Sequence, residues 1–247
     1  MTVTIARKEF TEMLRDGRFR ASAVIIFLLL VTALALGVAN YSDVRREQRE
    51  AQARDREAWL AQGERNPHSA AHFGKYAFKP SPPLAFLDRG LNSYTGVAVW
   101  MEAHYQNSSR NRPIEDATTA GRFGELTAAT VLQLLVPLVV ILLAFAAFAG
   151  EREQGTLRQL LSLGVGREKL AVGKAAGIAA ALAALLVPAT IIGVLALVLA
   201  TSRDGALAGA GRFAFLALSY LLYFGAMLGV ALAASAFFRT ARTTLVA

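Results

Sequence analysis

Four stretches of the chain contain no Asp, Glu, Lys, Arg or His: Ala21–Ser42, Leu126–Gly150, Ala175–Ser202 and Phe213–Phe238, of 22, 25, 28 and 26 residues. A helix rising 1.5 Å per residue needs about 20 apolar residues to cross a hydrocarbon layer roughly 30 Å thick, so each stretch is long enough to span a bilayer. In lipid a lone segment can satisfy its backbone polar groups only by forming a helix. The fold class expected is therefore an all-α integral membrane protein with four transmembrane helices. With 55% hydrophobic and 18% charged residues the chain is also poorer in charge than a soluble domain, which argues against a soluble enzyme.

Charge gives the orientation. With the first 20 residues cytoplasmic, Arg7, Lys8, Arg15, Arg18 and Arg20 lie inside, followed by Arg152, Arg158, Arg167, Lys169 and Lys174 and by Arg239 and Arg242. The short outer segment 203–212 carries only Arg203 and Arg212, as the positive-inside rule requires. Twelve more basic residues fall in 43–125, where eleven acidic residues nearly cancel them, and long translocated segments are largely exempt from the rule. The net charge of +8 is thus a topology signal, and no nucleic-acid partner is inferred from it.

Residues 1–20 place Ala6, Phe10, Met13, Leu14 and Gly17 at helical spacing, a pattern that suits an amphipathic helix in the inner membrane interface or a short solvated helix. A cleaved leader is a further alternative, since Gly37, Val38 and Ala39 form a small-x-small triplet, although the charged region ahead of it is long and acidic. After the first span (21–42) comes an extracytoplasmic segment, 43–125. Its start, Asp43–Gln62, is rich in Arg, Glu, Gln and Ala and continues the first span outward as a solvated helix. Beyond Gly63, prolines and glycines break the chain into short pieces. Leu84, Phe86, Leu87, Trp100 and their neighbours offer apolar surface for a small cap or for a helix resting on the membrane. Without a single cysteine for disulfides, that segment is expected to lean on the spans or on a partner subunit.

Few residues suggest chemistry. His68 and His72 have the i, i+4 spacing of a metal pair, but Gly63, Pro67 and Gly74 argue against a regular helix there and no zincin glutamate follows. They are read as a surface pair, and no metal site is assigned. Gly164, Gly166, Gly173 and Lys174 lack the P-loop spacing, and the spans hold no ionisable group for ion coupling. The spans do carry small residues every fourth position, Gly173, Gly177 and Ala181 in the third and Gly225, Gly229 and Ala233 in the fourth, which let helices pack closely. Pro137, near Gln133, and Pro188 mark kinks, read as kinks tolerated through neighbouring helices or as the lining of a pathway.

The most informative segment joins the second span (126–150) to the third (171–202): Glu151-Arg-Glu-Gln-Gly-Thr-Leu-Arg-Gln-Leu-Leu-Ser-Leu163, then Arg167 and Gly173-Lys174. Leu157, Leu160, Leu161 and Gly164 share one helical face, and Gly155 permits close backbone approach. Such a ridge fits either an interfacial connector or a helix docking in a partner's groove.

The run Glu-x-Glu-x-Gly-Thr-Leu-x-x-Leu-Leu, with Arg167 and Gly173-Lys174 after it, resembles the signature of permease subunits of type-2 (ABC-2) ABC exporters. The long outer segment is similar to the branch grouped as multicopper-enzyme-maturation-type permeases. The resemblance implies that 151–170 is a cytoplasmic coupling helix seated on a separate ATPase subunit. Glu151, Glu153, Gly155, Thr156, Leu157, Leu160 and Leu161 would contact the ATPase, and Arg167 and Lys174 would anchor the return to the membrane. It implies a multi-pass protein of the bacterial inner membrane with a cytoplasmic N-terminus, a second permease subunit as homodimer or heterodimer partner, and no catalytic residue or cofactor in this chain. ATP and magnesium would belong to the partner. Relatives often have Pro after the paired leucines, where Leu163-Gly164 stands here; Gly also ends a helix. The family usually has six spans. Here the fourth (213–238) is followed by a cytoplasmic end, 239–247, whose last five residues could begin a fifth, so a longer product or another polypeptide would supply the rest. The functional expectation is a permease of an ATP-driven exporter; the alternative is a non-transporting membrane anchor or scaffold whose outer segment binds a periplasmic partner.

Overall fold

A computed structural model describes residues 1–109, 112–116, 126–201 and 203–246. The end of the segment ahead of the second span (117–125), the end of the third span (Ser202) and Ala247 lie outside the described residues. Among the described residues helices dominate, and four are long and apolar enough to cross a membrane. The protein is a multi-pass, mostly helical membrane protein.

Helix α1 (Thr2–Arg15) stops at Asp16, whose backbone turns extended. The Asp16 carboxylate accepts from the Arg18 amide at 2.8 Å and so caps α2 (Gly17–Leu60). At 44 residues α2 is far longer than a bilayer requires. Its second half is polar and carries helix-face ion pairs, Arg46–Asp43 at 2.9 Å and Arg54–Glu50 at 3.6 Å.

The chain forms two compact units: Met1–Thr32 with Ala129–Leu195 and Ala210–Ala247, and Ala33–Ala128 with Ala196–Gly209. In the second unit, α3 (Pro67–His72) precedes an antiparallel hairpin of β1 (Lys75–Phe78) and β2 (Ala98–Met101), in register Lys75↔Met101 to Phe78↔Ala98. The hairpin is a small addition to a fold that is mostly helical, as expected: Tyr76, Phe78, Val99 and Trp100 favour a pleated surface, and Trp100 packs on Tyr76, ring to ring at 4.8 Å. One sequence expectation is corrected. A regular helix does form at His68 and His72, because Pro67 falls in the first turn, where its missing N–H costs nothing, and Asn66 caps the Ser69 amide at 2.8 Å. The hairpin leans on the polar half of α2. Asp55 accepts from the Tyr76 amide at 3.0 Å, and Gln48 donates to the Lys79 carbonyl. Gly37 lies against the Phe86 backbone, where a Cβ would overlap the carbonyl oxygen. A helix of four residues, α4 (Pro113–Asp116), follows.

The second span is segmented. After α5 (Ala128–Thr130) the helix widens to π geometry over Val131–Leu135, continues as α6 (Val136–Ala144), breaks at 145–148 and resumes as α7 (Ala149–Glu153). Pro137 has no N–H for the Gln133 carbonyl, and the Tyr223 hydroxyl donates to that carbonyl at 3.2 Å. At the break, fully buried Ser235 accepts from the amides of Phe148 (2.9 Å) and Ala149 (3.2 Å) and donates to the Phe145 carbonyl at 2.8 Å. Three of the backbone groups that the break releases are thereby satisfied.

The connector that follows is not one helix. It ends α7 at Glu153, resumes as α8 (Thr156–Ser162) and then enters α9 (Arg167–Ala200). Residues 203–212, expected as a loop, already belong to α10 (Arg203–Phe237), since only Gly at 205, 209 and 211 weakens an otherwise helix-forming run. Helix α11 (Ala241–Val246) follows. Pro188 lies inside α9 beside an open apolar groove of about 470 Å³ lined also by Phe19, Ala23, Phe27, Ala184 and Leu185.

The small-residue stripes have different surroundings. A Cβ on Gly173 would lie 2.7 Å from Ile5 Cβ, and one on Gly177 would lie 2.5 Å from Glu9 Cβ and 2.8 Å from the Ala6 carbonyl oxygen. These glycines let α9 approach α1, while Gly225 and Gly229 have no neighbouring atom within 4 Å and Ala233 is exposed. Gly177→Val is therefore expected to cost about 1–3 kcal/mol by overpacking and to raise amide exchange throughout α1. Gly229→Val should leave α1 exchange at the wild-type rate; hydrogen exchange by mass spectrometry checks the pair, and equal effects would refute the packing difference.

Candidate functional site

The segment singled out in the sequence folds around one buried ammonium. Lys174, in the second turn of α9, is only 2% exposed and lies 2.7 Å from Glu9 Oε1 of α1 and 3.2 Å from Glu151 Oε1 of α7. Both pairs are hydrogen-bonded, so one cation joins three helices. Lys8 sits at the rim, 3.6 Å from Glu151 and 3.7 Å from Glu9, with Glu12 at 3.1 Å on its other side. Burial works against the Lys8 charge, but the hydrogen bond to Glu12 and the carboxylates of Glu9, Glu12 and Glu151 outweigh it and hold the ammonium above the ordinary lysine range.

Thr156 carries this cluster into the connector. Its hydroxyl lies in a short contact with Glu151 Oε2 and 3.1 Å from the Glu151 carbonyl, which ties the first turn of α8 to the end of the second span. Between them Gly155 adopts φ 76°, a left-handed conformation that reverses the chain. Within the chain no atom lies within 4 Å of a Cβ placed on Gly155. Its requirement is conformational.

Helix α8 ends in a Schellman arrangement. The Gly164 amide donates to the Leu161 carbonyl at 3.1 Å and the Val165 amide to the Leu160 carbonyl at 3.2 Å, with Gly164 at φ 79° and Val165 buried. Between these stops Leu157, Leu160 and Leu161 are half-buried, and Arg158, Gln159, Leu163 and Arg167 are exposed. The leucines thus retain accessible apolar surface beside charged neighbours.

Two further residues bind the connector to the end of the fourth span. Arg152 donates to the carbonyls of Phe238 and, at 2.8 Å, Ala236, where α10 runs out of donors. Glu153 Oε1 accepts from the Ala241 amide at 3.2 Å, at the start of α11. The carboxylates of Glu151 and Glu153 therefore face different helices.

Of the expected residues, the structure gathers Glu151, Thr156 and Lys174 into one cluster, places Glu153 at a helix start and puts Gly173 and Gly177 under α1. Arg167 stands apart on the surface, as do Gly225, Gly229 and Ala233. Sequence reasoning missed Glu9 and Lys8. The signal for Glu9 was present: it stands three residues after Ala6 and four before Met13, a charge on the apolar stripe of α1, which calls for a buried partner.

Removing Lys174 leaves Glu9 and Glu151 facing each other in a largely dry site, with only Lys8 nearby. Lys174→Met is expected to destabilise the protein by about 3 kcal/mol. The double variant Lys174→Met with Glu9→Gln should recover much of that loss, as thermal unfolding in detergent would show. Equal unfolding temperatures for wild type and Lys174→Met would contradict the buried pairing.

A sequence model of the family described as ABC-2 family transporter protein matches residues 3–247 of the chain. No curated protein matches the chain.

Proposed function

The chain belongs to the ABC-2 transporter family, whose members are membrane permease components of ABC transporters, and we propose that it couples ATP hydrolysis by a separate subunit to export of a substrate. Helix α8, with its flanking turns, acts as the coupling helix, and ATP and magnesium bind in the partner. The observation that carries this reading is the ion cluster of Glu9, Glu151 and Lys174, because it joins the connector to the N-terminal helix and to the third span. A push on α8 is passed through Thr156 and Glu151 to Lys174 at the root of α9, and through Arg152 and Glu153 to the end of α10.

The apolar surface left on Leu157, Leu160 and Leu161 suits a groove in the ATPase, with Arg158 and Arg167 setting orientation. The basic balance of the short segments supports an inner-membrane protein with its N-terminus, connector and α11 in the cytoplasm. Helix α1, with exposed Arg7 and Arg15, then lies at the cytoplasmic interface. The long segment after the first span supports placement in the branch with such an insertion. The exposed face of Gly225, Gly229 and Ala233 supports a second permease subunit, since small residues clear of their own chain allow close helix approach.

Leu157→Asp and Leu160→Asp, each introducing a charge on half-buried apolar surface, are expected to reduce ATPase co-purification by about tenfold or more while membrane insertion stays normal. Affinity isolation of the tagged chain from solubilised membranes, with the co-purified ATPase quantified, checks this. Undiminished recovery of both variants would overturn the coupling role of α8. Labelling of Leu163→Cys by an impermeant maleimide in intact cells would overturn the proposed orientation.

A further inference from the structure

The chain has three histidines, and their rings come near one another in the segment between the first two spans, although His72 and His104 are 32 positions apart. We propose that His68, His72 and His104 form a binding site for a divalent first-row transition-metal ion, with zinc as the reference ligand.

Backbone structure brings the rings together. Asn66 and Pro67 start α3, which sets His68 and His72 on one face, four residues apart. Their Nε2 atoms are 3.3 Å apart. The Ala103 amide donates to the Ala71 carbonyl at 3.2 Å, which sews the turn after β2 onto the end of α3. An isolated bridge between Glu102 and Tyr105 closes that turn, and His104 at its tip has φ 70°. Its ring centroid lies 5.2 Å from that of His72 and 6.2 Å from that of His68, and the first two rings are 4.7 Å apart.

The 3.3 Å nitrogen pair and the 4.7 Å and 5.2 Å ring separations are near those of ligands around a small ion, while the 6.2 Å between His68 and His104 is longer. With metal–nitrogen bonds of about 2.0–2.1 Å in a tetrahedral site, neighbouring ligand nitrogens lie about 3.3–3.4 Å apart and ring centres about 5 Å apart. Among the described residues no three candidate ligands already converge on one point. His104 is exposed, and a side-chain rotation is the movement that closes the set. A hydrogen bond between His68 and His72 accounts for that pair but gives the third ring no reason to approach. Three imidazoles with no thiolate favour zinc, copper or nickel over calcium or magnesium and leave a fourth position to water.

The ion has a structural consequence. The segment contains no cysteine and so no disulfide, and a metal bridging α3 to the turn after β2 closes the loop that holds the hairpin. The proposal rests neither on the ion cluster at Lys174 nor on the coupling role of α8.

The test uses the full chain, purified without a polyhistidine tag, stripped with chelator and titrated with zinc against a chromophoric competitor. Wild type is expected to bind one equivalent. Loss of an outer-shell partner already costs roughly 10- to 100-fold in affinity, so loss of a ligand in His72→Ala or His104→Asn should weaken binding by at least about tenfold. Asn suits the left-handed turn at position 104 while removing the ring, so the backbone is preserved. Cobalt serves as a second readout: strong visible absorption in wild type, lost in His104→Asn, marks a tetrahedral site that includes the third histidine. Wild-type zinc affinity in His104→Asn, or no stoichiometric binding by wild type, would overturn the proposal.

Discussion

The first compact unit is organised by a lysine ammonium that has almost no water. Lys174 is 2% exposed, and a cation so placed is tolerable only with opposite charges held in good geometry. Glu9 and Glu151 meet that demand from two other helices, at 2.7 Å and 3.2 Å. Because a half-made cluster leaves a buried charge uncompensated, the three helices are constrained together. Gly173 and Gly177 belong to the same device. They sit on the turns on either side of Lys174, and without Cβ atoms they let α1 come close enough for Glu9 to reach the ammonium. The packing glycines and the ion cluster are thus one structure seen from its apolar and its polar side.

Much of this fold can be read from the chain alone, because its strongest signals are one-dimensional. Four charge-free stretches give the spans, and the distribution of Arg and Lys suggests their orientation. The polar run after Asn40 extends the first span as helix. What resists reading depends on a partner distant in sequence. The break at 145–148 has no Gly or Pro to announce it and persists because Ser235, about ninety residues later, supplies the missing hydrogen bonds. The hairpin escaped because four-residue strands carry too few alternations to stand out beside long apolar runs. The helix at Pro67 was discounted because proline was read as a breaker, where at a first helical position it is a starter.

The site was legible in its residues and not in its geometry. Glu151, Thr156 and Lys174 stand in the resemblance to ABC-2 permeases as parts of a coupling segment, yet nothing local says that the first and last of them share a salt bridge across 23 positions. Glu9 lies outside that segment altogether. Gly155 and Gly164 were recognisable as glycines of consequence, but only their φ values, 76° and 79°, show that each bounds α8 by a left-handed residue. That pair limits the helix to seven residues, Thr156–Ser162.

A helix so short has little stability of its own, since nucleating a turn fixes several residues for each hydrogen bond gained. Its order therefore comes from its ends: Thr156 bonded back to Glu151 on one side, and the Schellman turn with buried Val165 on the other. This makes the connector a rigid piece hung between two fixed points. In the proposed function that rigidity is what coupling requires, because a flexible linker would absorb a displacement where a clamped helix passes it on. The neighbouring bonds extend the consequence. Arg152 holds the end of the fourth span and Glu153 the start of α11, while Glu151 holds the start of the third span, so three consecutive residues at the end of the second span reach both following spans and the helix after them. In the proposed function a shift of α8 toward either span would be shared by the other, and the segmented second span, bonded to α10 through Ser235 and Tyr223, would carry it along.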